Sequence, residues 1–428
     1  DGGVIVYESR ATNLVGAVTN SAYDVFAFDV AAGVTTRVSV DGAGNQANGN
    51  SRRPAVSADG QTIAYESHAS NLVPGDTNGD SDVFTCNAVG DLTSRISVSS
   101  TGVQANGNSG VPAISGNGET IIYQSHASNL VATDVNEQAD VFSYDVPTAT
   151  TTRASLDSVA GYDADGWSYS PSVSDDGSTI VFASSAGNLV EGDRNGQTDV
   201  FAYDTVTGMT TLISAKPNGY PTDGWSGNPE VSGDGSFIVY ESRDPIKWLS
   251  NDLYNVHLYD VTADATILVS ADATGAKANQ SRSPDIAADG SMVVYSSRAS
   301  NLVEGDTNGL SDIFAYDVAT GATTRVSVDS EGAQADGASY RPAISADGST
   351  IVYDSSANNL VDGLDDSSRR VFAYDVATRV TTLVSVDSEG NEADGSCERA
   401  TVSGDGSIVV FESSAMNLAE DGMGGVFA

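Results

Sequence analysis

The feature that most constrains the fold is an Asp-Gly dipeptide that returns at nearly constant spacing through all 428 residues. Successive copies are 58, 58, 59, 58, 55, 58 and 58 residues apart, with Asn-Gly at the third position. A period of this size predicts a repeat protein, in which each repeat buries its apolar face against its neighbours. We therefore expect one domain over residues 1–428. Its repeat units begin at residues 1, 59, 117, 176, 234, 289, 347 and 405.

The repeat from residue 289 to 346 has the pattern of four short β-strands. Ser291–Ser296 and Asp312–Asp317 are rich in β-branched and aromatic residues. Thr323–Val328 alternates between polar and apolar residues, and Pro342–Ser345 is a short apolar run. Turn residues bound all four segments, as expected for strands. No segment has a sustained 3.6-residue apolar period, so we predict no helix beyond a short turn at Ala-Ser-Asn-Leu.

The motifs of the repeat follow one another in a fixed order. They are Pro-x-[Ile/Val]-Ser-x-Asp-Gly, Ile-Val-Tyr, Asp-Val-Phe-Ala-Tyr-Asp and Thr-Thr-Arg-Val-Ser. This order resembles the WD40-like repeats of TolB-type β-propellers, and the resemblance extends over the whole chain. It implies an all-β propeller of four-stranded antiparallel blades, with strand A (Pro-x-Ile-Ser) innermost and strand D (Thr-Arg-Val-Ser) outermost. It implies little about function, because propellers host many unrelated activities.

The sequence allows seven or eight blades. Candidate A strands begin at Pro54, Pro112, Pro171, Pro229, Pro284, Pro342 and Ala400. The last unit continues with a B strand (Ile408–Phe411) and a C fragment (Val426–Ala428), which a seven-bladed ring would leave without a place. We therefore favour eight blades, in a chain cut from a longer protein, and keep seven as the alternative.

The charge of the chain limits the partners that it can bind. Its net charge is −39, with 58 acidic and 19 basic residues. Such a surface repels the phosphates of nucleic acids and anionic membranes, and the sequence contains no membrane-spanning run. High acidity is typical of halophilic proteins and of calcium-loading extracellular proteins. The two cysteines, Cys86 and Cys397, are too few for a disulfide framework and do not identify the compartment.

The B–C and D–A loops are long and polar, whereas the A–B and C–D turns are short, so we expect function on the long-loop face. The B–C loops carry the motif Asp-x-Asn-Gly-x-[Ser/Thr]-Asp. Oxygen side chains at alternate positions of a Gly-containing loop are typical ligands of Ca²⁺, so the motif predicts four calcium sites. The candidate ligands are Asp76, Asn78, Asp80 and Asp82 in unit 2; Asp134, Asn136 and Asp140 in unit 3; Asp193, Asn195 and Asp199 in unit 4; and Asp306, Asn308 and Asp312 in unit 6.

The alternative for these loops is that Asp and Asn form Asx-turns without a metal. Unit 7 favours the metal. It aligns Leu364 with the first Asp, Asp366 with the Asn and Arg370 with the last Asp, as though a fixed cation had replaced an ion. Thermal unfolding with calcium and with chelator distinguishes the two interpretations.

One sector of the long-loop face differs from the rest. Trp167 and Trp225 occupy the same place in consecutive D–A loops, and Trp248 lies in the unusual B–C loop of unit 5. Nearby residues of interest are Tyr162, Tyr220, Lys216, Lys247 and Lys277. Aromatic side chains stack on sugar rings and lysines contact acidic groups, so this sector is a candidate ligand-binding site for a glycan. The alternative is that the tryptophans fill gaps between loops.

The sequence does not require an enzyme. Its three histidines, His68, His126 and His257, and the absence of nucleophile or phosphate-loop motifs argue against zinc or Ser-His-Asp chemistry. We favour an extracellular or cell-surface, calcium-stabilised propeller that binds a glycan or a protein partner. One alternative is a structural module of a surface layer or fibre. The other is a polysaccharide lyase or hydrolase, which would use His126, Tyr162 and arginines.

Overall fold

The computed structural model describes residues 2–16, 19–157, 161–216, 218–243, 254–278, 280–364, 368–418 and 425–428. These residues contain thirty β-strands and no helix, so none of them forms a helix of the kind that crosses a membrane. The chain divides into two compact units, Asp1–Val231 and Ser232–Ala428, which are described separately. Blades are numbered 1 to 8 by repeat.

The first unit holds blades 1 to 4 and the first strand of blade 5. Blade 1 is β1 (Val4–Ser9), β2 (Asp24–Asp29) and β3 (Val34–Arg37). Blade 2 is β4 (Ser51–Val56), β5 (Thr62–Ser67), β6 (Asp82–Asn87) and β7 (Ser94–Arg95). Blade 3 is β8 (Ser109–Ile114), β9 (Thr120–Ser125), β10 (Asp140–Asp145) and β11 (Thr150–Arg153). Blade 4 is β12 (Ser168–Val173), β13 (Thr179–Ser184), β14 (Asp199–Asp204) and β15 (Thr210–Leu212), and β16 (Ser226–Val231) follows.

The second unit holds the rest of blade 5 and blades 6 to 8. Blade 5 continues with β17 (Phe237–Arg243), β18 (Tyr254–Asp260) and β19 (Ala265–Leu268). Blade 6 is β20 (Ser281–Ile286), β21 (Met292–Ser297), β22 (Asp312–Asp317) and β23 (Ala322–Arg325). Blade 7 is β24 (Ser339–Ile344), β25 (Thr350–Ser355), β26 (Arg370–Asp375) and β27 (Val380–Leu383). Blade 8 is β28 (Cys397–Val402), β29 (Val409–Ser413) and β30 (Gly425–Phe427).

Within each unit, consecutive strands pair antiparallel in chain order, which is the blade pattern A-B-C-D. Blade 1 contributes strands B, C and D, and blade 8 contributes A, B and C. The predicted all-β propeller fold is therefore confirmed, with eight blades rather than seven. Several strand bounds differ from the prediction by a few residues. Strand A of blade 7 begins at Ser339, before Pro342, and strand D of blade 6 ends at Arg325 rather than Val328. The B strands are Met292–Ser297 in blade 6 and Val409–Ser413 in blade 8, each shifted toward the C-terminus.

The early start of strand A has a physical cause, which is a bulge just before the proline. In blade 7 the register shifts between Tyr340 and Ala343. Arg341 lies at the bulge with a φ of 49°. The equivalent residues of the other A strands share a left-handed φ between 49° and 57°: Arg53, Val111, Ser170, Asn228, Ser283 and Arg399. Polar residues at such a bulge do not follow the sequence pattern of a strand, so the prediction placed the start of each A strand too late.

The core lies between neighbouring blades rather than within one. Tyr123 and Phe142 of blade 3, whose rings stack 5.9 Å apart, pack in one cluster with Ala64 and Val83 of blade 2. The same Tyr–Phe pair recurs as Tyr65–Phe84, Tyr295–Phe314 and Tyr353–Phe372. Since the centres of the B and C strands of blades 2 to 7 are buried on both faces, the central residues of these strands are mostly apolar.

The Asp-Gly dipeptide forms the A–B turn, as predicted. In blade 2 the Ser57 hydroxyl donates to Asp59 (2.6 Å), and Asp59 accepts the Gln61 N–H (3.0 Å). Gly60 has a φ of 71°, which favours glycine. A second glycine, Gly49, precedes strand A for a different reason: an added Cβ would lie 2.7 Å from the His68 carbonyl oxygen. Here glycine permits close approach of two backbones.

Candidate functional site

The B–C loop of blade 2 closes around an arginine from strand D. The Nη1 atom of Arg95 lies 3.5 Å from both Asp76 Oδ1 and Asp82 Oδ2. Gln104 donates its amide to the same two carboxylates, at 2.8 and 3.1 Å. Asn78 donates to Asp82 (3.3 Å). Two of the carboxylates that the sequence assigned to calcium, Asp76 and Asp82, therefore lie close together, and the guanidinium of Arg95 lies near both.

The loop of blade 3 has the same arrangement, and the loop of blade 6 shares its glutamine and asparagine contacts. In blade 3, Arg153 is 3.8 Å from Asp134, 3.9 Å from Asp140 and 2.5 Å from Asp163. In blade 6, Gln334 donates to Asp306 (2.9 Å) and Asp312 (3.0 Å), and Arg325 lowers the pKa of Asp312, which burial raises more strongly. The motif asparagines Asn136 and Asn308 also donate to Asp140 and Asp312 (both 3.1 Å). The backbone N–H of Asp80 donates to the side-chain oxygen of Asn78 (3.1 Å).

Blade 4 keeps the carboxylates and lacks the arginine. Leu212 stands at the position of Arg95, and Pro221 stands at the position of Gln104. Asp199 accepts hydrogen bonds from Asn195 and from the Ser214 hydroxyl, both at 2.6 Å. Asp193 is 6% exposed, and its Oδ2 atom is buried without a hydrogen-bond partner. The loop thus buries two carboxylates without the neutralising arginine of blades 2 and 3.

The electrostatics of blade 4 follow from this loss. Burial raises the pKa of Asp199 to about 7; hydrogen bonds from Ser214 and Asn195 oppose the rise, and the charge of Asp193 adds to it. Burial likewise raises the pKa of Asp193, with Asp165 adding to it. A buried carboxylate whose charge is not balanced takes up a proton or a cation.

Blades 5 and 7 change the site in other ways. In blade 5, Asn255 stands in the place of the last Asp and accepts a hydrogen bond from Ser270 at 3.4 Å. In blade 7, Arg370 is fully buried and pairs with Glu392 at 2.9 Å, while Leu383 replaces the strand D arginine. Asp366 lies outside the described residues. Within the described ranges, no group of three or more His, Cys, Asp or Glu side chains has the arrangement of a metal site.

Three of the aromatic residues that the sequence singled out are exposed in the first unit. Tyr162, Trp167 and Tyr220 are 70%, 58% and 60% exposed. We call the two segments 161–167 and 218–225 the aromatic loops. Trp167 exchanges hydrogen bonds with Ser185, which opens the B–C loop of blade 4. The ring of Tyr220 lies beside Gly192 in the same loop. The aromatic loops therefore contact the loop that contains Asp193.

The other residues of the predicted sector have different roles. Trp225 is half-buried, and its ring covers Gly227 closely enough that an added Cβ would lie 2.5 Å from it. Lys216 pairs with Asp223 at 2.5 Å. Trp248 and Lys247 lie outside the described residues. Trp225 thus fits the alternative interpretation, in which tryptophans fill gaps between loops. Trp167, in contrast, is exposed to solvent.

Sequence reasoning missed an arginine-lined cavity in the second unit. We call it the arginine cavity; its volume is about 400 Å³. Its lining residues include Arg282, Arg298, Tyr340, Arg341 and Arg369. These residues come from separate segments of blades 6 and 7, so no local motif marks them. The one indication in the sequence was the presence of arginines just before two of the strand A prolines. Arg282 lies two residues before Pro284, and Arg341 lies directly before Pro342.

Among the described residues, none of the three histidines is part of a catalytic arrangement. His68 and His126 are exposed at the ends of strands β5 and β9. His257 lies in strand β18 and stacks on Tyr240, with ring centroids 5.3 Å apart. Cys86 and Cys397 are both buried free thiols.

No protein-family model matches the chain, and no curated protein matches it in sequence. Solved structures similar to it include TolB from Acinetobacter baumannii, with 18% identity, a TM-score of 0.38, and coverage of 76% of this chain and 63% of that chain. Oligogalacturonate lyase from Vibrio parahaemolyticus has 12% identity and a TM-score of 0.51, with 94% of each chain covered. The β-propeller domain of the Trilobed protease from Pyrococcus furiosus has 11% identity and a TM-score of 0.51, covering 89% of this chain and 94% of that one. The similarities to the lyase and to the protease domain show the propeller fold.

Proposed function

We propose that this chain is an extracellular binding propeller whose aromatic loops recognise a glycan and whose blade 4 loop is stabilised by calcium. The observation that carries the glycan proposal is the exposure of Tyr162, Trp167 and Tyr220, each more than half exposed, in two consecutive loops of one unit. Large aromatic rings are seldom left in water without a ligand, and their faces stack on the apolar faces of sugars.

The calcium proposal rests on blade 4. The sequence predicted four sites, and an arginine pairs with the carboxylates in two of those loops, while in blade 6 the charge of Arg325 acts on Asp312. Blade 4 has no such arginine, and the buried Oδ2 of Asp193 has no partner. Asp193 and Asp199 would supply carboxylate oxygens, with backbone carbonyls and water completing the shell that Ca²⁺ prefers. An ion there would fix the loop that Trp167 and Tyr220 contact.

The glycan proposal is tested by titrating oligosaccharides into the protein and following tryptophan fluorescence. Trp167→Ala should weaken binding by about fivefold or more, since one stacked aromatic contributes about 1 kcal/mol or more. Val206→Ala, which removes an even more exposed apolar side chain in the C–D turn of blade 4, should leave binding unchanged. Binding that is the same in both variants, or absent from the wild type for every sugar class, would reject the proposal.

Metal analysis tests the calcium proposal separately. We expect one calcium ion per chain, lost in Asp193→Asn and retained in Asp76→Asn, together with a calcium-dependent rise in melting temperature. Four ions per chain would instead support sites in blades 2, 3, 4 and 6. No bound ion and no effect of chelator on melting would remove calcium from the proposal.

The similarity to oligogalacturonate lyase over 94% of each chain favours a second candidate function, the cleavage of an acidic polysaccharide. His126 is exposed and available as a base. Incubation with polygalacturonate, followed by the ultraviolet absorbance of an unsaturated product, tests it. Turnover that is abolished in His126→Ala would favour the enzyme. A role in a surface layer or fibre is the remaining alternative, and concentration-dependent assembly in light scattering would favour it.

A further inference from the structure

We propose that the arginine cavity is a binding site for the oxyanion group, a carboxylate or a phosphate, of a small ligand. Four of the sixteen arginines of the chain, Arg282, Arg298, Arg341 and Arg369, line this one cavity. The chain as a whole carries a net charge of −39. A concentration of guanidinium groups against that background creates a local positive field, which attracts anions.

Two of the arginines are held side by side by shared carboxylates. Arg341 lies 3.5 Å from Asp354 and 2.7 Å from Glu398. Arg369 lies 3.4 Å and 3.2 Å from the same two groups. Asp354 is fully buried, so it holds both guanidiniums in fixed positions. This arrangement limits their motion and lowers the entropy that binding would cost.

Two of the lining arginines also stack on tyrosine rings. The guanidinium of Arg282 lies over the ring of Tyr254, with Cζ 3.9 Å from the ring centroid, and Arg369 lies 5.3 Å over Tyr340. Stacking holds a guanidinium by its face and so restricts its orientation in the cavity. No ion pair with a described carboxylate holds Arg298, whose side chain is exposed at the end of strand β21.

The charge of the site remains positive after its carboxylates are counted. Asp354 and Glu398 face Arg341 and Arg369. Glu241 accepts the N–H of Ser283, another lining residue, at 2.8 Å. Four guanidiniums against three carboxylates leave an excess positive charge. The planar guanidinium matches carboxylate and phosphate oxygens, and a volume of about 400 Å³ suits a small molecule.

Calorimetric titration with three matched sugars tests the proposal. Glucuronic acid carries a carboxylate, glucose 6-phosphate carries a phosphate, and glucose carries neither. We expect at least one of the two anions to bind and glucose not to bind, with affinity falling as salt is raised. Binding of only one anion identifies the oxyanion that the cavity prefers. Binding of neither anion, or equal binding of glucose, would overturn the proposal.

Variants locate the binding in the cavity. Arg298→Gln removes a guanidinium that holds no described ion pair, and it should weaken anion binding about tenfold or more. Arg369→Gln, which leaves Arg341 on Asp354, is the second variant. Arg379→Gln makes the same charge change at an exposed position outside the cavity and should have no effect. Weakened binding in either cavity variant with unchanged melting supports the proposal; unchanged binding in both overturns it.

Discussion

Replacing Asp199 by Asn should remove a large part of the pH dependence of stability in the absence of metal. Asp199 is fully buried in blade 4, and burial raises its pKa to about 7. The substitution is sterically mild, because blade 5 already holds Asn255 in this position, where it accepts a hydrogen bond from Ser270. The variant therefore removes the ionisable group and keeps the shape of the side chain.

The magnitude follows from linkage. The folded chain holds the Asp199 proton more tightly than the unfolded chain, where the pKa is 3.8. Stability is therefore highest at low pH and falls as the pH rises from about 4 through about 7. At 1.36 kcal/mol for each pKa unit, the free energy of unfolding should fall by about 3 kcal/mol between pH 5 and pH 8 through this group. Calcium bound at blade 4 would abolish the fall by stabilising the ionised form.

The assay is urea denaturation at pH 5 and pH 8 in chelator, on the wild type, Asp199→Asn and Asp82→Asn. Asp199→Asn should lose the fall of about 3 kcal/mol, because it shares every other titrating group with the wild type. Asp82→Asn keeps Asp199 and should retain that part of the fall. Asp82→Asn should instead be destabilised at pH 8, since Arg95 loses a buried partner. Parallel pH dependence in the wild type and Asp199→Asn would refute the reasoning.

The remaining predictions concern the other loops, the glycines and the thiols. Arg153→Leu, which gives blade 3 the leucine of blade 4, should destabilise the protein at pH 8 by about 3 kcal/mol and make its melting calcium-dependent; equal melting with and without calcium would contradict this. Gly49→Ala should cost about 1–3 kcal/mol in urea denaturation because its Cβ meets the backbone of the next loop, while Gly42→Ala, in open space, should be neutral or slightly stabilising. A thiol reagent should label neither Cys86 nor Cys397 in the native protein and both after unfolding, since each is buried and burial raises the pKa of Cys86 to about 12; labelling without denaturant would contradict this.

The fold was predictable because its determinants are local. The Asp-Gly turn depends on a few neighbouring residues, such as Ser57, Asp59 and Gly60, and it recurs with every blade. The Tyr and Phe of strands B and C mark the buried centre of a blade by type alone. Strand ends were less predictable, because the bulge at Arg341 depends on backbone geometry that the sequence does not display.

The site was predictable only in part, because strand pairing, and not spacing along the sequence, brings its charged residues together. Asp82 and Arg95 are brought together by the register of strands β6 and β7, in which Phe84 pairs with Arg95. The sequence offered one clue, the joint loss of arginine at Leu212 and of glutamine at Pro221 in the same repeat. The arginine cavity was marked only by Arg282 and Arg341, because its residues are distributed over several segments of two blades.

The bulge before the proline of strand A has a consequence for how such a chain acquires new ligands. The backbone takes the same left-handed turn whether the residue is Arg53, Val111, Ser170, Asn228 or Ser283. The residue at this position can therefore change while the hydrogen-bonded register on either side stays the same. Blades 2 to 8 each have one such variable position on a constant backbone, as designed display scaffolds do. A single codon change there alters what the protein presents, without rebuilding the blade.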